Sequence, residues 1–299
     1  MKTKVAFIVN EKRKLSRNAK KAIDLALSNN QLECVCSMTK FPKHAFEISQ
    51  AQADSGFDII IAVGGDGTCN EVVNGIMMSS RNNKVSFGVI PNGSGNDFYK
   101  MIGEFEPDIF IKSLLNRNSK KIDLISIESA EKQLYTLNIA GTGFDGLVVK
   151  YLDNIRFSLF LKGKVAYMVS ILRSFITFKK LDTMVRCDEF SYNGKLLMVA
   201  VCNGKAFGHG LIISPDSKID DGKMNVVLLG DVSFLDYLRN LSNLKKGVKV
   251  DHPNVHYFST NSLEVQVDKG QLYTEADGEI FGNEDVKFAL SPMALSLLY

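Results

Sequence analysis

The segment from Asp58 to Thr68, Asp-Ile-Ile-Ile-Ala-Val-Gly-Gly-Asp-Gly-Thr, constrains the fold more than any other part of the chain. Its five consecutive apolar residues, Ile59 to Val63, predict a short buried strand. The chain then turns through Gly64, Gly65 and Gly67, with one carboxylate, Asp66, among the glycines. The following stretch, through Asn70, Glu71 and Val72 to Ile76, predicts a helix with Thr68 as its N-cap. A strand, a glycine turn and a helix start aim several backbone N–H groups at one place, and that place suits phosphate. A carboxylate there would repel phosphate unless a divalent cation lay between them. The segment therefore points to a magnesium–nucleotide site on an α/β scaffold. The Walker loop is excluded because no lysine follows these glycines, and the dinucleotide fingerprint because Asn70 stands where its third glycine belongs.

The chain's 299 residues allow two domains. With 45% hydrophobic and 23% charged residues it has an ordinary globular composition. A net charge of +3 gives no support to nucleic-acid binding. Cys34, Cys36, Cys69, Cys187 and Cys202 form no C-x-x-C pair and are odd in number, so neither a zinc site nor a disulfide framework is expected, and a reducing cytosol fits. His252 and His256 are four apart, but Pro253 argues against a helical metal pair. The stretch Met1–Asn10 has a basic start and a short apolar run without a small-residue cleavage site; it reads as a first buried strand. The longest mostly apolar run, Val165–Phe178, contains Arg173 and falls short of the ~18 residues of a spanning helix. A soluble or peripheral protein is expected.

Up to about residue 127 strands and helices alternate. Strands are expected at Lys4–Val9, Leu32–Ser37, Ile59–Val63, Val85–Ile90 and Lys121–Ile127. Helices are expected near Ser16–Ser28, Lys43–Ala53, Thr68–Met78 and Asp108–Leu115. That order implies a parallel sheet with helices on both faces and ligands beyond the strands' carboxyl ends. From about 128 to 290 strand-like runs dominate: Leu134–Ala140, Thr183–Cys187, Leu196–Cys202, Met224–Leu229, Leu263–Val267, Leu272–Glu275 and Val286–Leu290. Turns are expected at Asn193-Gly194, Asp221-Gly222 and Asp277-Gly278. A mainly antiparallel second domain follows, interrupted by one helical stretch, Lys162–Phe178.

Two further clusters carry chemistry. Pro91-Asn92-Gly93-Ser94-Gly95-Asn96-Asp97-Phe98 follows the fourth strand, so its loop shares an edge with Gly64–Gly67. Ser94 offers a hydroxyl to phosphate and Asp97 a carboxylate to a metal; an Asx/Gly turn capping a short helix explains the same residues. Tyr273-Thr-Glu-Ala-Asp-Gly-Glu279 reads as a hairpin turn whose Glu279 gains interest only beside an active-site cleft. Gly141-Thr-Gly-Phe-Asp-Gly146 matches the dinucleotide pattern, and with Val148 the protein-kinase glycine loop. No H-R-D or D-F-G follows, and Leu161-Lys162-Gly163-Lys164 holds no ribose-binding acid, so this stretch is read as shaping a cleft.

These clusters, with Asn138 to Asp145 and Pro215 to Gly222, occur in an order that resembles the diacylglycerol kinase catalytic family. The soluble bacterial lipid kinases are the nearest type, with sphingosine and ceramide kinases as relatives. The resemblance spans nearly the whole chain. It implies an α/β nucleotide-binding domain of NAD-kinase/phosphofructokinase-like fold, residues 1–127, completed by about 291–299. It also implies a β-sandwich lipid-substrate domain, 128–290, with the active site in the interdomain cleft, where the Gly141–Gly146 stretch would shape the cleft or the lipid entrance. ATP would contact Asn10, Thr39, Gly65, Asp66, Gly67, Thr68, Asn70, Glu71 and Ser94. Asp66, Asp97 and Asp123 match the acids of the catalytic Mg2+ network, Glu279 the proton acceptor. Asp221, with the carbonyls of Lys218 and Lys223, matches a structural magnesium site. Asn10-Glu11-Lys12-Arg13-Lys14 departs from the family's Asn-Pro and glycine there, though its three basic residues suit phosphate. Ser94-Gly95 resembles the sphingosine and ceramide branch, Asn96-Asp97-Phe98 the bacterial diacylglycerol branch.

The expected reaction is γ-phosphate transfer from ATP to a membrane lipid hydroxyl, diacylglycerol giving phosphatidic acid, as in phospholipid biosynthesis. A sphingoid base, ceramide or another lipid alcohol is the alternative acceptor, and a non-catalytic lipid or nucleotide sensor the alternative class. NAD kinase shares the Gly-Gly-Asp-Gly-Thr turn, but the Gly-Ser-Gly-Asn-Asp loop and the late Asp-Gly-Glu oppose it. Residues 150–180 carry Lys150, Arg156, Lys162, Lys164, Arg173, Lys179 and Lys180 against Asp153 alone, interleaved with Phe157, Leu159, Phe160, Leu161, Tyr167, Met168, Ile171, Leu172, Phe175 and Phe178. That texture suits an anionic membrane surface, and equally a helix packed on the β domain with a solvated basic face. A cytoplasmic protein peripheral at the inner face of the membrane is expected, with no nucleic-acid partner and a homodimer left open.

Overall fold

The computed structural model describes residues 2–158, 163–208 and 210–299, with side chains described outside 156–158 and 163–164. The chain forms two compact units, Met1–Leu124 with Pro292–Tyr299, and Ile125–Ser291.

The first unit runs β1 (Thr3–Asn10), α1 (Arg17–Leu27), β2 (Leu32–Thr39), α2 (His44–Asp54), β3 (Ile59–Gly64), α3 (Asp66–Met77), β4 (Ser86–Pro91), α4 (Asp97–Ile102), α5 (Pro107–Asn116) and the start of β5 (Ser119–Glu128). The first four strands are parallel in the order β2-β1-β3-β4. The returning C-terminal residues extend this sheet, Ser296 and Leu297 pairing parallel with Ser86 and Phe87. The strands read as continuous apolar runs because both faces are covered. Val5, Phe7, Ile59 and Ile61 meet Ala19, Ala22, Ile23 and Ala26, the helical stripe of α1. Ala6, Ile8, Ile60 and Ala62 alternate to the other face and are equally buried. α2 and α3 touch through Gly75, where a Cβ would run into Ser49 and the Phe46 carbonyl. Ser16 starts α1 by accepting the Ala19 N–H at 3.1 Å.

The second unit continues with β6 (Gln133–Thr136), β7 (Ile139–Gly143), α6 (Phe144–Ser158), α7 (Gly163–Thr177), β8 (Leu181–Arg186), β9 (Ser191–Leu196), β10 (Met198–Cys202), a small pair β11 (Ala206–Phe207) and β12 (Leu211–Ile212), β13 (Met224–Leu229), α8 (Phe234–Lys246), β14 (Val255–Thr260), β15 (Ser262–Val267), β16 (Thr274–Ala276), β17 (Glu279–Gly282) and β18 (Val286–Leu298). One antiparallel sheet has the order β14-β13-β10-β7-β16-β17. A second antiparallel run, β18-β15-β8-β9, packs with it. Val199, Val201, Val226 and Leu228 from the first meet Val185, Leu263, Val265 and Phe288 from the second, which makes the sandwich core. The fold expected from the sequence, a mostly parallel α/β unit and an antiparallel β unit, is the fold observed.

Several boundaries differ. The strand expected over Leu134–Ala140 is two strands, broken at Leu137-Asn138, whose amides turn to a carboxylate instead of a neighbouring strand. Asn193-Gly194 is not a turn but lies inside β9; the reversal is at Cys187–Phe190, closed by the Cys187 N–H on the Phe190 carbonyl at 2.9 Å. The strand expected over Leu272–Glu275 is shifted to Thr274–Ala276, and the last strand runs on to Leu298. α6 and α8 were not expected, and α4 is the short helix offered as the alternative reading of the Pro91–Phe98 segment. Of the helical stretch expected from Lys162, residue 162 lies outside the described residues, and α7 begins at Gly163.

Candidate functional site

In the first unit the carboxyl ends of β1, β3 and β4 fall side by side. Register pairs Asn10 with Thr39 and Gly64 with Pro91, so the loops after these strands emerge along one sheet edge. β1 is flanked by β2 on one side and β3 on the other, which makes this the topological switch point of the sheet.

The glycine turn is tighter than the sequence suggested. α3 begins at Asp66 with Gly65 as its N-cap, two residues before the expected Thr68. The helix can start early because Gly64 has no side chain: a Cβ there would lie 2.5 Å from the Thr68 Oγ1. Thr68 instead sits in the first turn and accepts the Asn10 side-chain N–H at 3.0 Å, which ties the end of β1 to α3. The amides of Asp66, Gly67 and Thr68 are then first-turn donors, the part of a helix that favours an anion.

The loop after β4 presses backbone to backbone on this turn. A Cβ on Gly65 would lie 3.0 Å from the Gly93 Cα, and one on Gly93 would collide with the Gly65 Cα. Asn96, in the left-handed region at φ 52°, pins the loop: its Oδ1 accepts the Gly93 N–H at 2.9 Å and its Nδ2 donates to the Gly93 carbonyl. Arg13 donates to the Ser94 Oγ at 3.1 Å, and Asn92 Oδ1 accepts the Ser16 N–H at 2.9 Å. Three loops from three strands are thus held as one cradle.

Two carboxylates face one point in that cradle. Asp66 Oδ1 accepts the Phe98 N–H at 3.1 Å, so the acid of the glycine turn also holds the start of α4. A Cβ on Gly95 would stand 3.0 Å from Asp66 Oδ2 and 3.7 Å from Asp97 Oδ2. Two hard oxygen donors converging beside a glycine that leaves room are the donor chemistry a magnesium ion takes. Asp97 also pairs with Lys100 at 3.3 Å. Asp123, fully buried on β5, accepts the Met293 N–H at 2.8 Å and so anchors the returning chain end.

Other expected contacts have structural duties. Glu71 caps α2, Oε1 accepting the Lys43 N–H and Oε2 the Ala45 N–H, each at 3.0 Å. Asn70 is buried along α3, where its carbonyl and Oδ1 accept from Asn74 Nδ2. Thr39 closes β2 opposite Asn10.

In the second unit Glu279 is exposed at the start of β17, after a two-residue turn at Asp277-Gly278 with φ of 51° and 85°. Behind it lie two buried acids that sequence reading passed over. Glu275 Oε2 accepts the Gly278 N–H at 2.8 Å, while Asp145 Oδ2 is buried with no hydrogen-bond partner. Burial pushes the Asp145 carboxyl up to about 7. Burial and then the Asp145 charge raise Glu275 well above the usual carboxylate range. The glycines of the 141–146 motif make room for this packing: a Cβ on Gly141 would strike the Asp145 carboxylate, and one on Gly146 the Tyr273 carbonyl. Lys218, Asp221 and Lys223 are exposed before β13, and Asp221 Oδ1 accepts the Lys223 N–H at 3.1 Å. Among the described residues no three His, Cys, Asp or Glu side chains gather as a metal cluster.

The basic, aromatic stretch divides into two sets. Tyr167, Ile171, Phe175 and Phe178 pack into the second unit's core. Val165, Met168, Leu172 and Ile176 face outward along α7, Ile176 with 83% of its surface exposed. Leu159, Phe160, Leu161 and Lys162 lie outside the described residues, as do the side chains of Arg156, Phe157 and Lys164. Among the described residues no helix is long and apolar enough to cross a membrane.

Comparison with known proteins agrees with this architecture. Residues 4–127 match the diacylglycerol kinase catalytic domain, and residues 138–299 match the YegS C-terminal NAD kinase beta sandwich-like domain. The chain is 27% identical over 229 residues to a diacylglycerol kinase of Bacillus subtilis (strain 168), covering 76% of this chain and 72% of that one. It is 28% identical over 256 residues to a protein of Shewanella frigidimarina (strain NCIMB 400) named "Probable lipid kinase YegS-like", covering 84% and 79%. The crystal structure of a diacylglycerol kinase from Bacillus anthracis str. Sterne superposes with a TM-score of 0.71 at 20% identity, over 99% of this chain and 96% of that one; this likeness concerns the fold. The chain therefore belongs to the diacylglycerol kinase catalytic family, in the form that carries a YegS-type second domain, and is a lipid kinase of that kind.

Proposed function

We propose that the protein transfers the γ-phosphate of ATP, with magnesium, to the hydroxyl of a membrane lipid, with diacylglycerol as the acceptor and phosphatidic acid as the product. The observation that carries this reading is the convergence of the Asp66 and Asp97 carboxylates beside Gly95, next to the first-turn amides of α3. Phosphoryl transfer asks a protein mainly for position and charge stabilisation. The amides of Asp66, Gly67 and Thr68 donate to phosphate oxygens, and Arg13 with Ser94 adds a cation and a hydroxyl at the same rim. Asp66 and Asp97, joined by Asp123 as the family resemblance implies, would hold magnesium, which when bound offsets charge on the β and γ oxygens.

Glu279 accepts the proton of the lipid hydroxyl as its oxygen bonds to the γ-phosphorus. The bond from that phosphorus to the β–γ bridging oxygen breaks, and ADP leaves with the electron pair. General-base help is worth ~100- to 10,000-fold. The exposed apolar row of α7 supports a peripheral membrane contact: Met168, Leu172 and Ile176 enter the interface, and basic residues around them meet anionic headgroups. A structural magnesium at Asp221 with the Lys218 and Lys223 carbonyls belongs to the same reading.

The test is incubation with γ-labelled ATP, magnesium and a total lipid extract, followed by identification of the labelled lipid. The proposal expects label in phosphatidic acid, and a loss of ~100-fold or more in Glu279→Gln with ATP binding retained. Label in a phosphorylated sphingoid base or ceramide instead would move the acceptor to that class, which Ser94-Gly95 alone favours. A loss below tenfold would remove Glu279 from its role, and no lipid labelling at all would leave a nucleotide or lipid sensor.

A further inference from the structure

We propose that Asp277 is a positioning residue that sets the backbone from which Glu279 projects; this rests on the reading of Glu279 as proton acceptor. A two-residue hairpin turn with both residues at positive φ favours Asn, Asp or Gly at its first position, since other L side chains in that region are strained. Asp277 occupies the position at φ 51°. Its carboxylate is held by four consecutive residues from a distant part of the chain. Oδ1 accepts from Thr136 Oγ1 at 2.7 Å, from the Asn138 N–H at 2.9 Å and from the Ile139 N–H at 3.1 Å. Oδ2 accepts the Leu137 N–H at 2.8 Å, and the Asp277 N–H returns to the Ile139 carbonyl at 3.0 Å.

This contact explains the break between β6 and β7: three successive amides leave the sheet ladder and wrap the carboxylate as a nest. Backbone donors to an ionised acceptor are strong, directional bonds. Gly278 is held as well, its N–H on Glu275 Oε2 at 2.8 Å. The turn is thereby fixed at both of its residues, and Glu279 is the next residue along. One glycine separates the anchor from the proposed base, so a rotation at Asp277 passes directly into the direction of the Glu279 side chain. A turn-forming role alone, which Asn, Asp or Gly fills, needs none of the four remote donors.

The experiment compares Asp277→Asn, Glu279→Gln and the double variant in lipid-kinase turnover, with KM for ATP and thermal unfolding measured on each. Asn retains an acceptor at Oδ1 and the turn's positive φ, but sets an NH2 group against the Leu137 N–H. The expected result is at least a tenfold fall in kcat for Asp277→Asn, KM for ATP within twofold, and no further loss when it is added to Glu279→Gln, because a residue acting through another is non-additive with it. Thr136→Val removes one donor without touching the hairpin and is expected to lower kcat several-fold while the protein stays folded with a lowered melting temperature; it decides the matter should Asp277→Asn unfold. Full kcat in Asp277→Asn, or in Thr136→Val when Asp277→Asn does not fold, overturns the inference while a large Glu279→Gln loss leaves the base standing. An equal loss in both backgrounds also overturns it. Near-normal turnover in Glu279→Gln overturns base and anchor together.

Discussion

Glu71 separates what this chain's geometry says from what its family resemblance implies. The resemblance assigns Glu71 to ATP. In the structure its two oxygens accept the Lys43 and Ala45 N–H groups at 3.0 Å each. α2 has no cap of its own: Lys43, its N-cap residue, is in the left-handed region at φ 67° and makes no side-chain capping bond. Glu71 acts as that cap from α3. Removing a capping side chain costs about 0.5–2 kcal/mol, and a carboxylate at a helix N-terminus adds about 0.3–1 kcal/mol. Glu71 is partly exposed, so the charge contribution belongs at the lower end and the expected loss in Glu71→Ala is about 2 kcal/mol. That corresponds to a fall of roughly 4–8 °C in melting temperature for a unit of this size. Glu71→Gln keeps one acceptor and is expected to lose about half as much. The assay is thermal unfolding beside calorimetric titration with magnesium–ATP at a temperature where both variants are folded. Nucleotide affinity per folded molecule is expected to stay within threefold. An unchanged melting temperature with a tenfold loss of ATP affinity would refute the capping argument and return Glu71 to the nucleotide.

Gly93→Ala should abolish the close approach of the two loops, because its Cβ would strike the Gly65 Cα, and ATP binding by calorimetry should weaken at least tenfold; retained affinity would show that the loops part without harm to the cradle. Asp145 gives a pH dependence. Its carboxyl is raised by burial from 3.8 to about 7, so the folded protein keeps a proton that the unfolded chain releases, and this contribution to stability falls as pH rises between those values. Asp145→Asn is expected to gain stability relative to the parent from pH 5 to pH 8, read as a flatter urea-midpoint profile; parallel profiles would contradict it. For the membrane contact, Leu172→Asp with Ile176→Asp should reduce sedimentation with anionic vesicles at low salt while ATP binding is unchanged, and undiminished sedimentation would remove α7 from the interface.

The first unit was legible because its strands are buried on both faces and so read as plain apolar runs, punctuated by Ser16 and the glycines. The start of α3 was misplaced because Gly64 frees the turn to tighten, a steric fact that shows only once Thr68 is seen packed on it. α8 carries a full signal, the Ser233–Asp236 capping box and Gly247 in the left-handed region, but strand-like runs on both sides hid it. Asn193-Gly194 carried the strongest local hairpin signal and was wrong: cross-strand register, Thr183 opposite Gly194 and Met184 opposite Asn193, overrode local turn preference. The site split the same way. Asp66 and Asp97 stand out by residue type and spacing, whereas Glu279 is singled out only by the family resemblance. The Asp277 anchor and the buried Asp145 and Glu275 depend on contacts between residues more than a hundred positions apart, which no spacing announces.

The central claim is that the Gly64–Thr68 turn and the Gly93–Asp97 loop form one nucleotide cradle. A crystal structure with magnesium and a non-hydrolysable ATP analogue addresses it most directly. The account predicts phosphate oxygens on the amides of residues 66–68 and the metal between Asp66 and Asp97. Nucleotide bound at another edge of the sheet, with those two carboxylates facing only solvent, would contradict it.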